Sequence, residues 1–217
     1  MARTANPRRK PNPRGNGGQL RDEITEAALR LVENEPDPSG ITLRGVAREA
    51  GITAPSIYAH FDNLEAVMTA VVDRVFAQLA TSLENTLTAH DGDEPVSRLR
   101  ALCHTYVLFA AANPHLYRLA FDKEDHSPFP PEGSARPVPK SVETMPGAAA
   151  FGLLVRAIDA CVVAGRSAST DTQRDATLLW AALHGYAGLR RSSSDFPWPP
   201  HAETVDHYAD RLACLTP

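Results

Sequence analysis

Long uninterrupted apolar runs are missing from this 217-residue chain. The two longest, near residues 148–164 and 176–189, are broken by Arg156 and Asp159 in the first and by His184 in the second, so neither reads as a bilayer span. No apolar stretch with a cleavage site follows the basic opening residues, so no secretory leader is expected. Cysteine is scarce and odd in number. Cys103, Cys161 and Cys214 lie far apart, which argues against a disulfide frame or a zinc-ligand pattern and for reduced thiols in a cytoplasm. Sustained two-residue alternation is lacking, which argues against a β architecture. Glycine-rich phosphate loops and recognisable nucleophile turns are lacking too, and the eight histidines are scattered without ligand spacing. An enzyme, a metal site and a cofactor are therefore not expected.

What the chain does have is helical periodicity and an uneven charge. At 43% hydrophobic and 22% charged, its composition suits a globular protein with a sizeable core. The net charge of −4 speaks against nucleic acid, but its distribution does not. Residues 1–18 carry Arg3, Arg8, Arg9, Lys10 and Arg14 with no acid, so this arm is +5 and the remainder is −9. Rich in Pro, Gly and Asn, the arm is expected to be disordered without a partner. A basic arm on an acidic body suits a phosphate backbone; a solubilising tail has the same composition.

Leu20, Ile24, Ala27, Ala28 and Leu31 fall on one helical face, so residues 19–34 read as an amphipathic helix, stopped by "EPDPSG". Thr42 is placed to cap a short helix to about Ala50 and Thr53 a third through His60, and Asn63 starts a long one ending near His90. Further helices are expected over 96–112, with Leu99, Cys103, Tyr106 and Ala110 on one stripe, from Asn113-Pro114, and over 148–165, 171–191 and 201–215. Residues 122–147, with six prolines, read as loop. The fold class is all-α: a headpiece over 19–65 after the arm, and a larger helical body over 66–217.

In "TLRGVAREAGITAPSIYAHF" small Ala47 stands four residues before Gly51 and branched Ile57 six after it. This is the pattern of a helix-turn-helix: Ala47 permits close crossing, Gly51 takes a left-handed turn, and Ile57 fills the space between the helices. An ordinary helical corner or an all-helical protein-interaction module without DNA binding shares that pattern.

The longer stretch "ITLRGVAREAGITAPSIYAHFDNLEAV" resembles the N-terminal DNA-binding domain of the TetR family of bacterial transcriptional regulators. "NPHLYRLAF" and "LWAALHGYAGL" resemble a C-terminal subtype of that family built around a Trp-x-x-x-His-Gly segment. The resemblance implies a DNA-binding regulator, usually a repressor, that pairs as a homodimer on a palindromic double-stranded operator and responds to a small-molecule effector. By the same resemblance, Thr53, Ala54, Pro55 and Ser56 face the major groove, and Tyr58 and His60 lie near phosphates. Thr42 and Arg44 are further phosphate candidates. Two departures matter: Leu64 stands where the family often has Lys, and the recognition helix lacks Arg, Lys, Asn and Gln. Thr53, Ser56 and apolar contact of Ala54 or Pro55 with thymine methyls are left to read bases, with modest discrimination.

In the body, Ala181, Gly185 and Gly188 share a face that allows close helix approach. The resemblance puts this helix and the last one, around Tyr208 and Leu212, at the dimer interface. Trp180 and His184, on another face, are expected to look into a pocket with Tyr106, Phe109 and Phe151.

Overall fold

The computed structural model describes residues 17–34, 40–121 and 142–216. The arm's five basic residues and most of the proline-rich stretch lie outside them. The described residues form helices in two units, Met1–Val72 and Asp73–Pro217.

The first unit is built from α1 (Gly17–Asn34), α2 (Leu43–Glu49), α3 (Ala54–Ile57) and the start of α4 (Leu64–Ala89). α1 begins two residues before the expected start. Asn63 caps α4, its Oδ1 accepting from Ala66 N at 2.8 Å. The unit's core joins Ile24, Ala28 and Val32 of α1 to Val46 and Ala47 of α2, to Ile57, and to Val67 and Val71 of α4. Because those two valines pack here, the packing boundary falls at Val72 rather than near residue 65. By length and composition α4, not either run singled out from the sequence, is the described helix long and apolar enough to cross a bilayer.

The second unit continues α4 and adds α5 (Pro95–Ala112), α6 (Pro114–Phe121), one 3-10 turn (Val142–Thr144), α7 (Ala148–Val163), α8 (Thr172–Ser192) and α9 (His201–Leu212). Pro95 and Pro114 open their helices, where a missing N–H costs nothing. Asp171 caps α8 by accepting from Arg174 N at 3.0 Å, and Arg190 and Arg191 close it at the negative end of its dipole. α5 packs against α6, α7, α8 and α9, and its expected stripe of Leu99, Cys103, Tyr106 and Ala110 is buried. Burial pushes the Cys103 thiol up to about 12, so it stays a protonated core group.

α5 and α9 also meet through an antiparallel polar seam. Arg100 donates to Asp210 Oδ1 from Nε and Nη2 at 3.1 and 2.7 Å, and one turn on, His104 Nε2 meets Asp206 Oδ1 at 2.9 Å. α9 stops at Leu212 rather than 215. Cys214 takes a φ of +51°, and Leu215 N then bonds back to Asp210 O at 2.9 Å. This frees Leu215 to bridge Ser167 beyond α7.

Candidate DNA interface and effector cavity

The helix-turn-helix is held by local bonds at each joint. Thr42 is extended, and its Oγ1 accepts from Gly45 N at 3.1 Å to cap α2. Arg44 and Arg48 project from α2 into solvent. At the turn Gly51 has φ +67°, Gly51 N donates to Arg48 O at 3.2 Å, and Ile52 N donates to Ala47 O at 2.9 Å. These are the paired bonds of a left-handed helix stop. A Cβ on Gly51 would meet no atom within 4 Å, so the demand is for the dihedral and not for space.

α3 is shorter than expected: it ends at Ile57, and Tyr58–His60 form a turn. His60 N and Phe61 N both return to Ile57 O, at 2.8 and 2.9 Å, which closes the helix early. Thr53 holds the N-cap position, yet its side chain caps no amide; its Oγ1 lies 2.8 Å from Ser56 Oγ. Thr53 and Pro55 are exposed, Ala54, Ser56 and His60 half-buried. Ile57 and Phe61 are core residues, whereas Tyr58 is 59% exposed and available to a partner.

Arg21 was not foreseen as part of this site. Its Nη1 donates to the His60 carbonyl at 2.6 Å, and its guanidinium lies 4.1 Å from the Phe61 ring centroid. Arg30 is paired with Glu49 at 2.8 Å. Of the four arginines among the described residues of this unit, two therefore hold helices together, and Arg44 and Arg48 face outward.

In the second unit Tyr106 and His184 meet in a cluster that also takes in Tyr117 and Phe121. The hydroxyls of Tyr106 and Tyr117 are 2.8 Å apart and converge on His184 Nδ1, at 3.2 and 2.5 Å. Trp180 Nε1 donates to the Tyr106 hydroxyl at 3.1 Å. Phe121 packs on Tyr117, His184 and Trp180, with Phe76 edge-on behind it. Burial pushes the Tyr106 phenol up to about 12, so it remains a neutral donor and acceptor. Phe151 touches the cluster through Trp180 at 6.1 Å. Phe109 lies half-buried against the core, outside the ring contacts of the described residues. A cavity of about 330 Å³ opens beside the cluster, lined by Glu143, Ala148, Phe151, Gly152, Val155, Arg156 and Gln173. Of the five expected pocket residues it takes only Phe151; Tyr106, Trp180 and His184 are bonded to one another instead. Among the described residues no three His, Cys, Asp or Glu side chains gather as a metal site requires.

α8 turns another face outward. Leu178 and Leu189 are about half exposed, Ala181 is exposed, and a Cβ added at Gly185 or Gly188 would meet no atom within 4 Å. Tyr208 and Leu212 of α9 are half-buried, with Tyr208 edge-on to Tyr186 at 5.9 Å.

Residues 24–71 match the family profile described as bacterial regulatory proteins of the tetR family, and residues 99–213 match the tetracyclin repressor-like C-terminal domain. The chain belongs to the TetR family. By its two matched domains it is a DNA-binding transcriptional regulator. This TetR-family chain is 28% identical over 106 residues to the uncharacterized HTH-type transcriptional regulator YobS of Bacillus subtilis, a match covering 49% of this chain and 53% of YobS. It spans about half the length of the curated relatives it matches. Its fold is similar to that of a protein of unknown function from Rhodococcus sp. RHA1, with TM-score 0.70, 26% identity, and 93% and 97% of the two chains covered. It is also similar to a TetR family regulator from Marinobacter aquaeolei VT8, with TM-score 0.61, 18% identity, and 92% and 97% covered.

Two parts of these sites escaped the sequence reading. Arg21 acts on residues 39 and 40 positions away, and nothing local marks it. Tyr117 and Phe121 did leave a signal: aromatics four apart in the short helix after Asn113-Pro114 share one face.

Proposed function

We propose that this regulator works in the cytoplasm as a homodimeric repressor on a palindromic operator and is released by a small apolar or aromatic effector. The observation that carries the reading is the division of α8 into two faces. One bears Ala181, Gly185 and Gly188 outward between exposed leucines, with room for a second helix. The other carries Trp180 and His184 into the aromatic cluster. Pairing through α8 and through Tyr208 and Leu212 of α9 would give two reading heads on half-sites about 34 Å apart. Thr42, Arg44, Tyr58 and His60 would then lie at phosphates and Thr53, Ala54, Pro55 and Ser56 at bases.

An effector seated in the cavity at Phe151, beside the Trp180 and His184 cluster, would act on the pairing helix directly. Release requires differential affinity alone: a hundredfold preference for the non-DNA state is worth about 2.7 kcal/mol. Sedimentation and a mobility shift on the fragment upstream of the protein's own gene test the reading together. Gly185→Leu is expected to give monomers that no longer retain the fragment, with the headpiece untouched. A Gly185→Leu protein that stays dimeric and still binds would place the interface elsewhere.

A further inference from the structure

The reading surface of α3 is made of short groups whose protons can be counted. Thr53 and Ser56 each bring one hydroxyl proton, and at 2.8 Å one of the two lies between their oxygens. Seen from outside, the pair is a single unit with one donor left and acceptor lone pairs beside it. Ala54 and Pro55, between them in sequence, add apolar surface, and no Arg, Lys, Asn or Gln stands in α3. The major-groove edges differ in what they ask of such a unit. Guanine offers two acceptors, O6 and N7, and needs two donors. Cytosine offers a lone amino donor and no methyl. Adenine offers one acceptor, N7, beside one donor, N6–H. Its thymine partner adds a C5-methyl.

We infer that α3 reads A·T pairs, with the Thr53–Ser56 hydroxyl pair acting as one bidentate group on the adenine N6/N7 edge and Ala54 or Pro55 covering the thymine methyl. The inference rests on the operator reading above and adds the base identity and the coupling between two side chains. The hydroxyls are fixed before DNA arrives, so the unit loses little freedom on binding. Its stems are also short, so the backbone of α3 lies close to the base edges. Larger side chains at 54 or 55 are excluded for that reason.

The test uses the full-length wild-type protein and a duplex selected by it from a random pool. The selected half-site is expected to contain A·T pairs. Replacing each half-site dT in turn by dU removes only the methyl, and at the position facing α3 should weaken binding about fourfold, the worth of one buried methyl-sized group. Replacing the facing dA by 7-deaza-dA removes only N7 and should weaken binding about fivefold, the range of one hydrogen bond. That second loss should vanish in Ser56→Ala. Thr53→Ala, Ser56→Ala and the double variant should bind equally weakly, because either truncation breaks the unit. The inference is overturned if no dU or 7-deaza-dA duplex binds less tightly than its parent, or if the two alanine effects add. A protein that retains no duplex from the pool overturns the operator reading and this inference with it.

Discussion

Arg21 separates two uses of a positive charge that look alike in a sequence. Its guanidinium is engaged by the His60 carbonyl and the Phe61 ring, which places it among the supports of the recognition segment. Arg21→Ala should weaken operator binding about fivefold while leaving the slope of log affinity against log salt unchanged. Arg44→Ala should lower that slope by about 0.9 if Arg44 is a phosphate contact. Fluorescence anisotropy across a salt series distinguishes them, and a reduced slope for Arg21→Ala would make it a DNA contact instead. Gly147 is a second residue with a defined duty. It has φ +85°, and a Cβ there would stand 2.7 Å from Phe76 Cδ1, in the ring that backs Phe121. Gly147→Ala should cost about 1–3 kcal/mol from the dihedral alone, with a further loss as Phe76 is pushed against the cluster. A loss in urea no larger than that would show that the ring simply moves aside, and a midpoint equal to wild type would remove the dihedral cost as well.

α9 is the element whose docking should respond to pH. His201, its first residue, stacks on Tyr186, receives or gives a hydrogen bond to that hydroxyl at 3.3 Å, and lies edge-on to His104 at 5.4 Å. Its Nε2 is buried and makes no hydrogen bond among the described residues. Burial, then the neighbouring His104, then Arg190 lower its pKa from 6.5. A lowered pKa means that the folded state binds fewer protons than the unfolded one. The neutral ring's contribution is therefore complete above pH 6.5 and is lost as pH falls from there through the folded value. Thermal midpoints between pH 5 and 8 should drop more steeply below 6.5 for wild type than for His201→Gln. Parallel curves would remove His201 from the account.

At the scale of the molecule, charge has to be reconciled with the task. Residues 19–62 hold four basic residues against eight acids, and two of the four arginines are engaged within the unit. A chain that is −9 beyond its arm should repel DNA unless the arm compensates. Deleting residues 1–16 should weaken operator binding and flatten its salt dependence by about 0.9 for each phosphate that the arm neutralises. An unchanged slope would reduce the arm to a tail.

Helix positions, the cap at Thr42 and the turn at Gly51 were legible because their causes are local: both residues act within three or four residues of themselves. The buried stripe of α5 was legible for the same reason, since periodicity alone sorts Leu99, Cys103, Tyr106 and Ala110 to one side. Which polar groups meet is another matter. Arg21 on His60, Arg100 on Asp210 and the phenols of Tyr106 and Tyr117 on His184 depend on crossings between helices distant in sequence. Nothing in the spacing of the chain encodes those crossings. The sequence by itself thus determined the elements and the family's helix-turn-helix. Only the tertiary structure decided that α3 stops at Ile57, that Thr53 binds Ser56 instead of an amide, and that three of the expected pocket residues are bonded into a filled cluster. Each of those outcomes depends on competition among hydrogen-bond partners that only packing brings within reach.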